Sequence, residues 1–309
     1  MKIIFFGSDD FAAVHLEALF KSDHQILLCV TPPDKPQGRG MKITDNPVKE
    51  TALKSNCWVV QPDDITDRGL IDRLTKLQAD LFVVIAYGKI LPQKVLDIPK
   101  LYPINVHGSL LPNYRGAAPI NWAIIKGETK SGISIIKMNA KMDAGDILAR
   151  EELTIGDKDT AVDLRQRMME VGPAFLVKTI DNIARTAINM IPQDPNSVTF
   201  APKLTKELGR IDWKKSAREI NNLIRGLQPW PGVYTTYKNK TLKILEAQDA
   251  SSANAATPGT ICDVQKDEFS VAAAKGCLKI KKVHLEAGKP LSAKEFLVGH
   301  PLKVGDRLG

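Results

Sequence analysis

The sequence is poor in the features that mark secreted, disulfide-linked or membrane proteins. Its 309 residues include four cysteines, and none of them lies at CxxC or CxH spacing. A disulfide framework or a zinc site is therefore not expected, and a reducing cytoplasm fits this composition. The first residues, MKIIFFGSDDF, turn acidic after a short apolar run, unlike a signal peptide, and no apolar run approaches the length of a membrane span.

Two common motifs of α/β enzymes are also missing. The turn after the first apolar run contains only Gly7 of a GxGxxG fingerprint, which leaves weak support for a nicotinamide-dependent oxidoreductase. The sequence around Ser109, Gly-Ser-Leu, is not the GxSxG elbow that carries a nucleophilic serine. The simpler expectation is a reaction in which one substrate group attacks another, without a covalent enzyme intermediate.

The positive charge of the chain is confined to its last third. The first 200 residues contain 24 Lys and Arg and 24 Asp and Glu, whereas residues 201–309 contain 19 and 11, which accounts for the net charge of +8. A basic second part of this kind binds a polyanion in many proteins. The alternative is a solvated surface that only favours solubility.

The pattern of apolar runs predicts an α/β fold with two domains. Strand patterns at 2–6, 25–31, 57–60, 81–87, 103–108 and 132–138 alternate with helical patterns, which predicts a doubly wound, mostly parallel, Rossmann-like sheet with 81–87 at its centre. A long helix is predicted from Thr160 to about Ala187. Beyond a helix near residue 220, about five short strands predict a small β-barrel. The expected domains are residues 1–188 and 209–309, joined by a linker at 189–208.

The stretch Ile104–Arg115, INVHGSLLPNYR, is the main candidate for chemistry. Asn105, His107 and Ser109 follow a short apolar run, at the place where a parallel strand delivers side chains to the carboxyl edge of its sheet. Asn105 can donate to an oxyanion, His107 can polarise the same carbonyl or transfer protons, and Asp143 can hold the imidazole. Alternatively, Asn105 and His107 only satisfy loop backbone groups, and Asp143-Ala-Gly-Asp146 is only a turn.

A long loop is predicted at residues 31–49, where four prolines and two glycines oppose regular structure. It carries Lys35, Arg39, Lys42 and Lys49, and a basic loop of this length is typical of a phosphate clamp. The alternative is a disordered surface insertion.

At these residues the sequence resembles the methionyl-tRNA formyltransferase family. Residues 105–112, NVHGSLLP, are similar to the core motif of enzymes that use 10-formyltetrahydrofolate, and residues 142–146, MDAGD, are similar to their acidic loop. That part is shared with glycinamide ribonucleotide and amino-sugar formyltransferases. Residues 33–40, PDKPQGRG, resemble the inserted loop with which the tRNA-directed members hold the acceptor stem, and the resemblance continues to about residue 301. Ser8-Asp9-Asp10 departs slightly from the family pattern.

The resemblance implies transfer of a formyl group from 10-formyltetrahydrofolate to the α-amine of methionine on initiator tRNA. It implies an OB-like second domain and catalysis by Asn105, His107 and Asp143, in a cytoplasmic, monomeric protein that needs no metal and no membrane. The implied folate-binding residues are Ser109, Leu110, Leu111, Pro112, Tyr87, Gly88 and Ile90. The implied tRNA-binding residues are Arg39 above all, then Lys35, Lys42 and Lys203.

Two other functions stay open at this point. The first is a formyltransferase for a small amine, either glycinamide ribonucleotide or an amino-sugar nucleotide, which would not need the loop at 36–42. The second is an RNA-binding protein without catalytic activity that uses the basic second domain.

Overall fold

Two structural units make up the chain in a computed structural model. The model describes residues 1–34, 36–37, 42–43, 45–185, 188–250 and 256–309, and of 36–37 and 42–43 the backbone alone. The first unit comprises Met1–Pro119, Ser131–Leu153 and Gln166–Phe200; the second comprises Ile120–Lys130, Thr154–Arg165 and Ala201–Gly309. The domain boundaries expected from the sequence stay a prediction.

Strands and helices alternate through the first two hundred residues. The strands are Lys2–Gly7 (β1), Gln25–Val30 (β2), Pro36–Gln37 (β3), Lys42–Ile43 (β4), Val59–Val60 (β5), Leu81–Ile85 (β6), Tyr102–His107 (β7), Arg115–Gly116 (β8), Lys130–Lys137 (β9), Ile147–Thr154 (β10) and Phe200–Ala201 (β11). The α-helices are Asp10–Phe20 (α1), Pro47–Lys54 (α2), Arg68–Lys76 (α3), Gln93–Leu96 (α4), Pro119–Ile125 (α5) and Ala161–Arg185 (α6). A short 3₁₀ helix covers Pro195–Ser197.

Seven of these strands form the main sheet, in the order β10-β9-β7-β6-β1-β2-β5. The apolar run of β6 is buried at every residue and lies at the centre, parallel to β1 and β7. Strands β2 and β5 continue the parallel part. The mostly parallel, Rossmann-like sheet expected from the sequence is therefore confirmed. The Asp9 side chain caps α1 by accepting from the Ala12 N–H at 2.9 Å, as a short carboxylate does at a helix start.

Strand β9 departs from the parallel pattern. It runs antiparallel to β7, with His107 opposite Ser134 and Ile104 opposite Lys137. A parallel pair needs a crossover helix packed on the sheet. The helix between these strands, α5, instead belongs to the second unit, where Asn121 donates to the Gly226 carbonyl at 2.7 Å. The connection between β7 and β9 thus includes a segment of the second unit, and β9 runs antiparallel to β7. The final strand of the sheet, β10, was not predicted.

The proline-rich stretch at 31–49 contains more regular structure than its composition predicts. Strand β3 pairs antiparallel with β4, and α2 begins at Pro47, where Asn46 caps it by accepting from the Lys49 N–H. The Lys49 ammonium forms ion pairs with Asp34 at 2.5 Å and Asp45 at 2.7 Å. Lys49 is therefore neutralised locally, and it is not a free cation for a phosphate.

The second unit is built mainly from antiparallel strands. After a 3₁₀ helix at Glu207–Gly209, its elements are the helix Ala217–Gly226 (α7), the strands Val233–Tyr237 (β12), Lys240–Ala250 (β13), Ile261–Val264 (β14), Phe269–Ala272 (β15), Cys277–Leu285 (β16) and Pro290–Ser292 (β17), and the helix Ala293–Gly299 (α8). The sheet order is β12-β13-β16-β15-β14, with β17 on β16. A smaller β-rich domain after the Rossmann-like sheet is thus confirmed.

Helix capping and the packing of aromatic side chains stabilise this second unit. Ser216 and Glu219 form a reciprocal capping box at the start of α7, and Ser292 and Glu295 form another at the start of α8. Phe269 and Phe296 are fully buried in its core with ring centroids 6.3 Å apart. No helix in the described part of the chain combines the length and the apolarity needed to cross a bilayer.

Candidate active site

The last residues of β7 place an amide and an imidazole on one face of the sheet. Side chains alternate along a strand, so Asn105 and His107 share a face while Ile104 and Val106 point to the other. Ile104 and Val106 are buried in the core. Asn105 is half-buried, and His107 is 6% exposed. The sheet thus presents two polar side chains that are largely shielded from water.

Asp143 lies between these two side chains. Its Oδ1 is 3.4 Å from Asn105 Nδ2 and 3.7 Å from His107 Nδ1. Its Oδ2 accepts from the Gly116 N–H at 2.9 Å, and the side chain is 13% exposed. A carboxylate that is largely buried and contacted at both oxygens keeps its position.

The loop that carries Asp143 folds back along β9. Because β9 is antiparallel to β7, its end lies beside the start of β7, where the Met138 N–H donates to the Pro103 carbonyl at 2.9 Å. The loop returns because the Gly145 backbone lies against the Lys137 carbonyl; a Cβ at Gly145 would be 1.6 Å from that oxygen. Only glycine permits this close approach.

The His107 ring is fixed by a main-chain acceptor. Its Nε2 lies 3.0 Å from the Tyr114 carbonyl oxygen. A carbonyl can only accept, so Nε2 carries a proton and Nδ1 faces Asp143. The Nδ1–Oδ1 distance of 3.7 Å is longer than a hydrogen bond, and such contacts shorten in many enzymes when substrate binds.

Left-handed backbone conformations cluster around the same three side chains. Asp143 has φ = 51° and Tyr114 has φ = 61°, and Ala86, after β6, has φ = 47°. Each costs on the order of 1 kcal/mol or more for a residue with a side chain and persists only where surrounding contacts enforce it. One such contact is the Ser8 hydroxyl, which donates to the Ala86 carbonyl at 2.7 Å.

Comparisons with known proteins connect this geometry with a family. The family model described as formyl transferase matches residues 1–180, and the one described as formyl transferase, C-terminal domain, matches residues 203–301. A methionyl-tRNA formyltransferase of Alkaliphilus oremlandii is 45% identical over 309 residues, with 100% of both chains covered. The chain belongs to the methionyl-tRNA formyltransferase family. Another member, from Acetivibrio thermocellus, is 43% identical over 311 residues, again with 100% of both chains covered.

A solved structure shares the fold of the family at lower sequence similarity. WlaRD, a sugar 3N-formyl transferase solved in the presence of dTDP and 5-N-formyl-THF, superposes with a TM-score of 0.68 and 19% identity. The match covers 94% of this chain and 99% of that one. At this identity the likeness shows the fold alone.

The folate-binding residues expected from the family resemblance lie in different environments. Leu111 is 1% exposed and packs with Ile136 and Ile147 in the core, whereas Ile90 is 73% exposed. Gly88 is exposed, and Leu110 and Pro112 are half-buried. Of this set, Gly88, Ile90, Leu110 and Pro112 therefore have surface that a ligand can reach.

The two remaining members of that set are engaged within the protein. The Ser109 hydroxyl is fully buried and donates to the Asn113 carbonyl at 2.6 Å, so it closes the turn after β7. The Tyr87 ring is buried edge-to-face against Phe6, and burial raises the pKa of its phenol to about 12. The Ser109 hydroxyl is therefore committed to its own loop, whereas the Tyr87 hydroxyl is buried and has no hydrogen-bond partner among the described residues.

The residues expected to contact tRNA are only partly described. Lys35 and Arg39 lie outside the described residues, and Lys42 is described by its backbone in β4 alone. Lys203 is exposed. Their role in binding stays a prediction.

The structure adds Gln193, which sequence reasoning did not select, and gives contacts to Arg115, which lies in the candidate stretch but has no role predicted from the sequence. The Gln193 amide nitrogen donates to the carbonyls of Asp143 and Gly145, and Arg115 donates to the Gln193 amide oxygen. Gln193 lies in a proline-rich stretch without periodicity, which was assigned to the linker. No pattern in the sequence distinguishes it from the other polar residues there.

Proposed function

We propose that this protein transfers the formyl group of 10-formyltetrahydrofolate to the α-amine of methionine esterified to initiator tRNA. The observation that carries the proposal is the convergence of Asn105, His107 and Asp143 within 3.4 to 3.7 Å, in a chain similar over its full length to methionyl-tRNA formyltransferases. An acyl transfer between two substrates needs an oxyanion donor and a proton acceptor, and these three side chains can supply both.

The amine nitrogen attacks the formyl carbon, and the electron pair of the C=O bond moves to the oxygen. Asn105 stabilises this oxyanion through the amide N–H that does not point to Asp143. His107 donates from the same face of β7 when Nδ1 also carries a proton, with the Asp143 carboxylate beside it. The carboxylate of Asp143 accepts the proton lost by the amine, directly or through water. Collapse of the tetrahedral intermediate breaks the bond to N10 of the folate, which takes up a proton to give tetrahydrofolate.

The folate would lie beside the carboxyl ends of β6 and β7. Gly88 and Ile90 follow β6, and Leu110 and Pro112 follow β7, so apolar and backbone surfaces from both loops are available for a pterin ring. A folate co-substrate is supported by the formyl transferase family model, which matches residues 1–180. No metal is assigned to this chemistry.

The tRNA would contact the basic loop around Arg39 and the positive residues after 200. Residues 201–309 contain 19 Lys and Arg against 11 Asp and Glu, and the exposed Lys203 stands at the start of this region. Phosphate contacts of this type release counterions, so affinity for tRNA should fall steeply as salt rises. Because translation supplies the acceptor, we place the reaction in the cytoplasm, with the chain acting as a monomer.

A formyltransferase for a small amine is the closest competing function. The curated relatives at 43% to 45% identity over the whole chain are named methionyl-tRNA formyltransferases, which favours the tRNA acceptor. Deletion of residues 36–42 distinguishes the two functions. It should abolish formylation of methionyl-tRNA if this loop holds the acceptor, and should leave activity intact if the acceptor is a small amine.

The central experiment measures transfer of labelled formyl to initiator and elongator methionyl-tRNA by the purified protein. We expect transfer to the initiator form and a loss of roughly 100-fold or more in kcat for Asn105→Ala, which removes an oxyanion donor, and for Asp143→Ala, which removes the proton acceptor. Asp72→Ala, an exposed carboxylate on α3, is the matched control. Wild-type rates in both variants would show that the catalytic assignment is wrong, and no transfer by the wild-type protein would favour the RNA-binding alternative.

A further inference from the structure

Gln193 makes hydrogen bonds to both loops of the site. Its Nε2 donates to the Asp143 carbonyl at 2.9 Å and to the Gly145 carbonyl at 2.7 Å. Its Oε1 accepts from Arg115 Nε at 3.0 Å and Nη2 at 2.7 Å. Gln193 and Arg115 are both half-buried, so these bonds are partly shielded from water and compete less with it.

The orientation of the Gln193 amide follows from these partners. A guanidinium can only donate, so the amide oxygen must face Arg115. Both amide hydrogens are then directed at two carbonyls of the Asp143 loop, which can only accept. Rotation of the amide by 180° would set donors against Arg115 and an oxygen against the two carbonyls. Arg115 therefore fixes the side of Gln193 that meets the loop.

Gln193 and Gly116 locate Asp143 from two directions. Gln193 holds its carbonyl, while the Gly116 N–H, next to Arg115, holds its carboxylate at 2.9 Å. Asp143 has φ = 51°, a conformation that needs external support. With its main chain and its side chain both fixed, the carboxylate stays between Asn105 and His107.

The chain on either side of Gln193 is tied down as well. Ile191 exchanges two backbone hydrogen bonds with Ile147, at 2.8 and 2.9 Å, just after the Asp143 loop. Thr199 accepts from the Arg115 N–H at 2.9 Å through its carbonyl and from the Tyr114 N–H at 2.8 Å through its hydroxyl. We call residues 191–199 the strap, because they connect the Tyr114–Gly116 loop with the Asp143 loop.

We propose that Gln193 is a positioning residue for formyl transfer, which acts through Asp143 and is itself oriented by Arg115. This inference rests on the proposed function, since it assigns Asp143 to the reaction. The four hydrogen bonds of Gln193 go to Arg115 and to the backbone carbonyls of Asp143 and Gly145. Gln193 therefore acts on the Asp143 side chain through the Asp143 backbone. Its loss should allow the carboxylate to move, and a displacement of about 1 Å at a reacting group can reduce a rate by roughly 100-fold.

Gln193→Met tests the proposal, because methionine keeps the length of the side chain and removes all four hydrogen bonds. We expect kcat to fall about 10- to 100-fold, with KM for methionyl-tRNA and for the folate within about twofold of wild type. The decisive step repeats the substitution in the Asp143→Ala background under single-turnover conditions. There it should cost less than about twofold, because residues that act through one group are not additive.

The controls separate a local effect from a general loss of structure. Gln166→Met removes an exposed glutamine of α6 that donates to Glu170 at 3.2 Å, and it should retain wild-type kcat. Hydrogen exchange at 139–146 should accelerate in Gln193→Met while exchange in the central strands is unchanged. If that variant does not fold, Gln193→Glu replaces it: it keeps an oxygen for Arg115 and loses both donors to the loop.

Three results would overturn the inference. Wild-type kcat in Gln193→Met and Gln193→Glu would show that the loop needs no clamp. An equal loss in the Asp143→Ala background would show that Gln193 acts through the general fold. If kcat is reduced in Asp143→Ala but not in Gln193→Met, this inference is refuted and the proposed function is not. If kcat of Asp143→Ala equals that of the wild type, both the inference and the proposed function are refuted.

Discussion

His15 couples the stability of the protein to pH. The residue lies on α1, fully buried, and its Nδ1 donates to the Phe11 carbonyl at 2.7 Å. Its Nε2 has no hydrogen-bond partner among the described residues and faces Gly172 of α6, where a Cβ would be 2.5 Å away. Protonation would place an unpaired positive charge in this contact, and burial lowers the pKa of His15 to about 4.

The size of the effect follows from the two states of His15. In the unfolded chain its pKa returns to about 6.5, so between these values the unfolded state binds more protons than the folded state. Stability is then fully present above the unfolded pKa and is lost as pH falls towards the folded one. From pH 7.5 to pH 5 the loss is about 2 kcal/mol, and it approaches about 3 kcal/mol near pH 4.

His15→Asn provides the test, because asparagine keeps a donor for the Phe11 carbonyl and does not titrate. Urea unfolding at pH 7.5 and pH 5 should show that the wild type loses about 2 kcal/mol more than the variant over this range. His24, whose pKa burial also lowers, is present in both proteins and cancels. A ¹³C-histidine NMR titration, assigned with the variant, should find His15 neutral at pH 5. Parallel pH profiles, or titration of His15 near pH 6.5, would refute the reasoning.

Three further predictions concern the site and its supports. Gly145→Ala should reduce kcat by at least about 100-fold with an unchanged circular dichroism spectrum, since a Cβ would overlap the Lys137 carbonyl; an active variant would contradict the fold-back of the loop. Ser134→Ala should lower the free energy of unfolding by about 1–3 kcal/mol, because its buried hydroxyl accepts from the Leu111 N–H and donates to the Ser109 carbonyl; a urea midpoint equal to wild type would exclude this. Binding of methionyl-tRNA, measured by filter retention, should weaken by at least about tenfold between 50 and 200 mM salt, and an unchanged affinity would argue against phosphate contacts.

The part of the site on β7 could be predicted because it depends on local rules. An apolar run followed by Asn105 and His107 two residues apart is enough to place both side chains on one face. The chain brings Asp143 to the site by a different path from the one that the sequence predicts. In a parallel sheet the strand before it would end at the carboxyl edge, whereas β9 is antiparallel and the loop returns through the close approach of Gly145 to Lys137.

The contribution of Gln193 could not be predicted, because it depends on contacts between residues distant in the sequence. Its partners lie 78, 50 and 48 residues away, at Arg115, Asp143 and Gly145. Hydrophobic periodicity reports on local burial and carries no information about such pairings. The same limit applies to the direction of β9, which is antiparallel to β7 although the alternation of strand and helix patterns predicts a mostly parallel sheet.

The strap also bears on how far the catalytic half of this protein can be shortened. The formyl transferase family model ends at residue 180, and a protein truncated there would retain Asn105, His107 and Asp143. It would lack residues 191–199, and with them the hydrogen bonds that hold the Tyr114–Gly116 loop and the Asp143 loop. The family model therefore delimits a shorter piece than the one that contains the anchors of both loops. Truncation studies and domain exchanges between relatives should keep the chain at least to Thr199, so that the contacts of the strap with both loops are retained.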